Sequence, residues 1–305
     1  MFFSRQQHLM WVVLLLFAPV AYAADGSFTR EGVELHYRTT GTGTPVIMLS
    51  GGPGLEVDYM VTVGEFLPAS YQRVLYEQRG TGRSKVRLAP ETMTMQHVVE
   101  DLEALRVHLK QDRLLLVGHS WGGMLAMAYA AAHPDRVDRM ILIGPGGPTL
   151  DFIQWFPDNI RMRLRPEDIA AERYWDEAVK RGVEADKAAL EGLRAITPGY
   201  FFDRAKGLAF ASQLTDGTVH GHVNELLFTD MAKHYDSRPG LTQLNRPVLI
   251  IQGHQDPVGD KTAEDIHGVI KRSVLAYINK SGHFPWIEQP DDFRKAIAEF
   301  FAANP

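Results

Sequence analysis

The run Gly118-His119-Ser120-Trp121-Gly122-Gly123 follows directly on the all-apolar stretch Leu114–Val117 and leads into the Ala- and Met-rich segment Met124–Ala132. A chain that passes from strand to helix in so few residues holds its serine at strained backbone angles. It also leaves no room for side chains two positions away, hence Gly118 and Gly122. The turn lifts the Ser120 hydroxyl above the edge of a sheet, at the positive end of the following helix. With a strand before it and a helix after it, the G-x-S-x-G pattern sits in the setting that a nucleophile elbow requires.

The rest of the chain repeats the same alternation. Val33–Arg38, Pro45–Leu49, Arg73–Tyr76, Met140–Ile143, Val248–Ile251 and Val274–Ile278 read as further strands. Thr94–Lys110 reads as a helix, because Val98, Val99, Leu102, Leu105 and Leu109 fall on one face; Asp291–Ala303 closes the chain as another. Short all-apolar strands separated by helices predict an α/β fold: a mostly parallel sheet covered on both faces. Residues 147–244 break the rhythm. They are rich in Arg, Asp and Glu, carry helical stretches at Glu167–Arg181 and Asp186–Ile196, and contain no buried-strand run. They are expected to form a helical cap, or lid, inserted between two strands of a core made of 24–146 and 245–305.

A serine hydroxyl is a weak nucleophile without a base, and the base needs an orienting acid. In a sheet of this kind the three follow in the order Ser, acid, His. Asp256 comes right after the strand Val248–Ile251, and His283 right after Val274–Ile278, so both belong to loops at the same sheet edge. Asp260 is the alternative acid and His254 the alternative base. Two backbone N–H donors must stabilise the oxyanion. Trp121, next to the nucleophile, supplies one; Gly52 in the turn Ser50-Gly51-Gly52-Pro53-Gly54 is expected to supply the other.

Taken together, these motifs resemble the α/β-hydrolases, and within that fold the prolyl aminopeptidase (proline iminopeptidase) family of serine peptidases. That family pairs H-G-G-P-G with D-Q-R-G-x-G-x-S and a G-x-S-W-G elbow. Here the three read Ser50–Gly54, Glu77-Gln-Arg-Gly-Thr-Gly-Arg-Ser84 and Gly118–Gly122, so Ser50 and Glu77 depart from the pattern. The resemblance covers about Val33–Ile143 and Pro247–Phe301 and leaves the cap unmatched. It implies acidic cap side chains that hold a substrate's free α-amino group, with Glu225 and Asp230 as candidates and Asp176 and Glu177 behind them.

Composition narrows the class further. A formal charge of −5 gives no basic footprint for nucleic acid. With no Cys, thiolate metal sites, disulfides and a Cys nucleophile are excluded. His220-Gly221-His222 reads as a possible metal pair on a strand, but it lacks a third ligand, and no metal or cofactor is expected. His119 is expected to be structural. The lid aromatics Trp155, Phe156, Tyr174, Tyr200, Phe201 and Phe202 either line a pocket or form the lid's own core. Arg5, the apolar run Leu9–Val20 and the exit Ala21-Tyr22-Ala23 describe a secretory signal cleaved after Ala23. The mature chain is therefore expected to be exported, periplasmic or secreted, with no stable membrane insertion. The reading is a Ser-His-Asp hydrolase working through an acyl-enzyme on a small-molecule or short-peptide substrate; the resemblance implies an aminopeptidase that releases N-terminal residues from short peptides. The alternatives are a carboxylesterase or lactonase, and a non-catalytic binding protein on the same fold. Oligomeric state is not legible.

Overall fold

The computed structural model describes Ala24–Asn304; the secretory signal read at residues 1–23 lies outside the described residues. Eight strands form one sheet: β1 (Ala24–Arg30), β2 (Val33–Thr40), β3 (Thr44–Leu49), β4 (Tyr71–Glu77), β5 (Leu114–His119), β6 (Val137–Ile143), β7 (Val248–Gly253) and β8 (Ser273–Ile278). Their order across the sheet is β1-β2-β4-β3-β5-β6-β7-β8. β1–β2 and β2–β4 pair antiparallel, and every other neighbouring pair is parallel.

The all-apolar strands are apolar because both of their faces are buried. In β5, Leu114 and Leu116 point into one core while Leu115 and Val117 point into the other; in β3, Ile47 and Leu49 alternate with Val46 and Met48 in the same way. Each such side chain, fully buried, contributes about 1.5–3 kcal/mol. The helices Met95–His108, Trp121–Ala132 and Asp260–Val269 cover the first face, and Pro290–Ala303 covers the second. β1 was not among the expected strands. Of its residues only Phe28 is buried, so this outer strand has no apolar alternation to betray it.

Between β6 and β7, residues 147–244 contain helices and no strand of the sheet. The expected helix Glu167–Arg181 is in fact two pieces, an α-helix Pro166–Asp176 and a 3₁₀ turn Val179–Arg181. Ala185–Ile196, Arg204–Ala211 and Gly221–His234 follow. The isolated bridge Leu55–Val219 ties this segment to the loop after β3, and the bridge Thr149–Asp236 joins its two ends. Among the described residues, no helix is long and apolar enough to cross a membrane.

Candidate active site

Parallel neighbours bring their carboxyl ends to one edge, and the loops leaving β3, β5, β7 and β8 meet there. Ser120, between β5 and the helix Trp121–Ala132, sits at φ 55° and ψ −119°. No ordinary L residue rests there unstrained. The glycines around it obey the steric argument. A Cβ on Gly118 would lie 2.3 Å from the Gly122 carbonyl oxygen, and one on Gly122 would lie 2.2 Å from that of Leu49. The serine's own N–H donates to the Ile143 carbonyl at 2.9 Å, which pins the elbow to β6.

The structure brings Asp256 and His283 together. Nδ1 of His283 lies 2.8 Å from Asp256 Oδ2, with both side chains almost wholly buried. Asp256 Oδ1 accepts the N–H of Val258 at 2.8 Å. The backbone N–H of His283 donates to the Tyr200 carbonyl at 2.8 Å, so the cap helps to hold the imidazole. Cap side chains also grip the loop of Asp256: Trp155 Nε1 donates to the Val258 carbonyl and Asn159 Nδ2 to that of Pro257. His254 and Asp260 instead pair with each other at 2.8 Å, with the His254 ring stacked on Tyr277, away from His283.

Gly52 and Trp121, whose N–H groups are the expected oxyanion donors, border the same cavity as Ser120. Trp121 is the first residue of its helix, so its N–H has no intrahelical acceptor. In the glycine turn the Gly51 N–H donates to Tyr59 Oη at 2.6 Å, while for Gly52 N–H no partner is found among the described residues. Gln78 joins the two donors' frames. It accepts from Trp121 Nε1 at 2.9 Å and donates through Nε2 to the carbonyl and hydroxyl of Ser50 at 3.0 and 3.1 Å. Ser50, which departs from the family pattern, closes the turn by donating to the Leu55 carbonyl at 2.8 Å. Glu77, the other departure, accepts the N–H of Arg83 at 2.6 Å and pairs with the guanidinium groups of Arg83 and Arg38. Both departures therefore hold loops, as position and chemistry suggest.

Ser120, Gly52, Trp121 and His283 all border one cavity of about 1210 Å³ beneath the cap. Its walls are largely apolar, and Glu172, Asp176 and Glu225 are the carboxylates that border it. Glu225 lies at the rim, 75% exposed and paired with His222 at 3.2 Å. Asp230 is not on the cavity, which corrects the expectation for it. Its Oδ2 accepts the Met95 N–H at 2.8 Å and so caps the start of the helix Met95–His108. Glu172, which the sequence reading passed over, is the buried one. Its side chain is 16% exposed, Oε1 faces Arg161 at 3.4 Å, and Oε2 is buried with no hydrogen-bond partner. Nothing in the local pattern of a polar helix says which acid faces inward.

Three other expectations resolve. His220-Gly221-His222 opens the helix Gly221–His234 rather than lying on a strand, and the two rings turn to different carboxylates. The aromatics divide: Phe156 and Tyr200 border the cavity, Phe201 is core, and Tyr174 and Phe202 are exposed. His119 packs against His283, its ring centroid 4.6 Å from that of His283.

Known proteins share this arrangement of the chain. The family model described as alpha/beta hydrolase fold matches residues 44–290. A proline iminopeptidase of Clostridioides difficile is 24% identical over 92% of this chain and 98% of its own length. One from Heyndrickxia coagulans is 28% identical over 85% and 91%. The solved proline iminopeptidase-related protein of Thermus thermophilus superposes with a TM-score of 0.70 at 24% identity, covering 92% of this chain and 98% of that one. An esterase of Thermogutta terrifontis does so at 0.68 and 23%, covering 92% and 99%. The last two are likenesses of fold.

Proposed function

Because the chain belongs to the α/β-hydrolase family, we propose that it is a serine hydrolase that works through an acyl-enzyme. The observation that carries the reading is the buried Asp256–His283 pair at 2.8 Å, whose His283 borders the same cavity as Ser120. In this account Ser120 Oγ attacks the acyl carbon and His283 takes its proton. Asp256, accepting from Nδ1–H, fixes the tautomer that leaves Nε2 free to act as base. The N–H groups of Gly52 and Trp121 receive the developing oxyanion, each worth about 10²–10³ in rate. His283 then returns the proton to the leaving group, and water repeats the sequence on the ester.

The proposed substrate is a short peptide with a free amino terminus, as the names of the curated relatives suggest for this chain too. Glu172 is the acid suited to the ammonium. Its buried Oε2 has no partner, and a buried carboxylate gains most from an opposite charge, whereas the exposed Glu225 is screened by water. The apolar walls support a second reading, a carboxylesterase or lactonase. The deciding experiment measures kcat/KM on a proline anilide with free and acetylated amino groups, beside a short-chain nitrophenyl ester. Preference for the free amine by tenfold or more supports the aminopeptidase; rapid ester turnover with neither anilide cleaved transfers the assignment to the esterase. We also propose export, to be tested by the N-terminal sequence of the secreted or periplasmic protein, expected to begin at Ala24.

A further inference from the structure

The cavity is larger than a prolyl residue needs. At about 1210 Å³ it exceeds the 300–1,000 Å³ usual for sites that take drug-sized ligands. One wall is the helix Ala185–Ile196, which turns Ala185, Ala188, Ala189, Gly192 and Ile196 toward the space, positions three or four apart and hence one face. Gly192 is the telling residue. It lies in the helix interior, where glycine is less favourable than alanine, and its φ is not positive. A Cβ built on it would meet only Trp175 Cβ, at 3.9 Å, an ordinary contact. Gly221 differs: a Cβ there would come within 3.0 Å of Ala189, so packing accounts for that glycine. Neither backbone nor neighbours account for Gly192. What a side chain there would take up is cavity space beside Trp175.

We propose that the substrate carries a bulky apolar group, aromatic or branched alkyl, which packs in the cavity against Trp175 and the helix face at Gly192, so that Gly192 sets the size limit. This rests on the serine-hydrolase reading and names the substrate class of the same site. A small substrate would leave water against apolar walls, and a group that fills the space displaces it. Transfer of apolar surface then contributes about fourfold in affinity for each methylene fully buried.

The test is kcat/KM of the full chain on two series of increasing apolar size. One varies the acyl side, from nitrophenyl acetate through hexanoate to 4-phenylbutyrate; the other varies the side chain of an amino-acyl anilide from alanine to phenylalanine. At least one series is expected to rise tenfold or more. Gly192→Phe is expected to lower the ratio of largest to smallest substrate by tenfold or more, with the melting temperature unchanged or raised. Gly192→Ala should raise the melting temperature and alter the ratio less. Two flat or falling series would overturn the proposal, as would a Gly192→Phe variant that slows every substrate equally. Calorimetric binding of 4-phenylbutyramide and acetamide to Ser120→Ala separates the two readings. Selective binding of the larger amide, with no turnover by the wild type, would sink the catalytic reading alone; turnover without size preference sinks this one.

Discussion

The phenol of Tyr59 lies 2.8 Å from Nδ1 of His119, and it does so while accepting the Gly51 N–H at 2.6 Å. At the far side of the ring, His119 Nε2 is 3.0 Å from the backbone carbonyl of His283, which can only accept. The proton of His119 is therefore on Nε2, Nδ1 is an acceptor, and the Tyr59 hydroxyl donates to it. A continuous chain of hydrogen bonds thus runs from the glycine turn to the backbone of the proposed base. Tyr59→Phe breaks it at two points and frees the Gly51 N–H. The expected result is a kcat lowered about tenfold with KM changed little, together with a stability loss of about 1–3 kcal/mol. Steady-state kinetics and denaturant unfolding check both.

Burial and the neighbouring His283 hold the pKa of His119 well below its usual range. The unfolded chain binds that proton near pH 6.5 and the native chain does not, so stability falls as pH drops below about 6.5, by at most about 1.4 kcal/mol per pH unit. Melting temperatures between pH 7.5 and 5 should decline more steeply for the wild type than for His119→Gln. Equal slopes would show that the imidazole is not the group responsible.

Gly144, at φ 47°, stands behind Asp256 and His283. A Cβ there would lie 2.7 Å from Asp256 Oδ2 and 2.9 Å from His283 Nδ1. Gly144→Ala should force the two apart and cost tenfold or more in kcat/KM. Gly32, at φ 78°, has nothing within 4 Å of the corresponding position. Gly32→Ala carries a comparable backbone strain, about 1–2 kcal/mol, and should leave kcat/KM alone.

Asp101 is fully buried and accepts two bonds from Arg79, both at 2.6 Å, and one from Arg30 at 3.1 Å. Asp101→Asn leaves the buried Arg79 charge uncompensated. Unfolding by denaturant should show a loss of about 3–5 kcal/mol.

Much of this site was legible because its constraints are local. The elbow, the glycine turn, and Asp256 and His283 each follow a strand whose apolar run marks it, and the steric crowding at Gly118 acts within four residues, although that at Gly122 comes from Leu49 on β3. What escaped depends on distant parts of the chain. Gln78 links Ser50 to Trp121, Tyr59 reaches His119 and Tyr200 holds His283, and none of these contacts leaves a mark on its own neighbourhood. The cap was hardest to read. Its acids share similar surroundings in sequence, yet Asp230 caps a helix, Glu225 faces water and Glu172 turns inward.

The central claim, that Ser120 is the nucleophile of a serine hydrolase, is tested most directly without choosing a substrate. The protein is incubated with a fluorophosphonate and its mass and peptide map are measured. The account predicts one adduct per chain, on Ser120, absent from Ser120→Ala and formed far more slowly in His283→Ala. A chain that stays unlabelled, or that is labelled elsewhere, would contradict it.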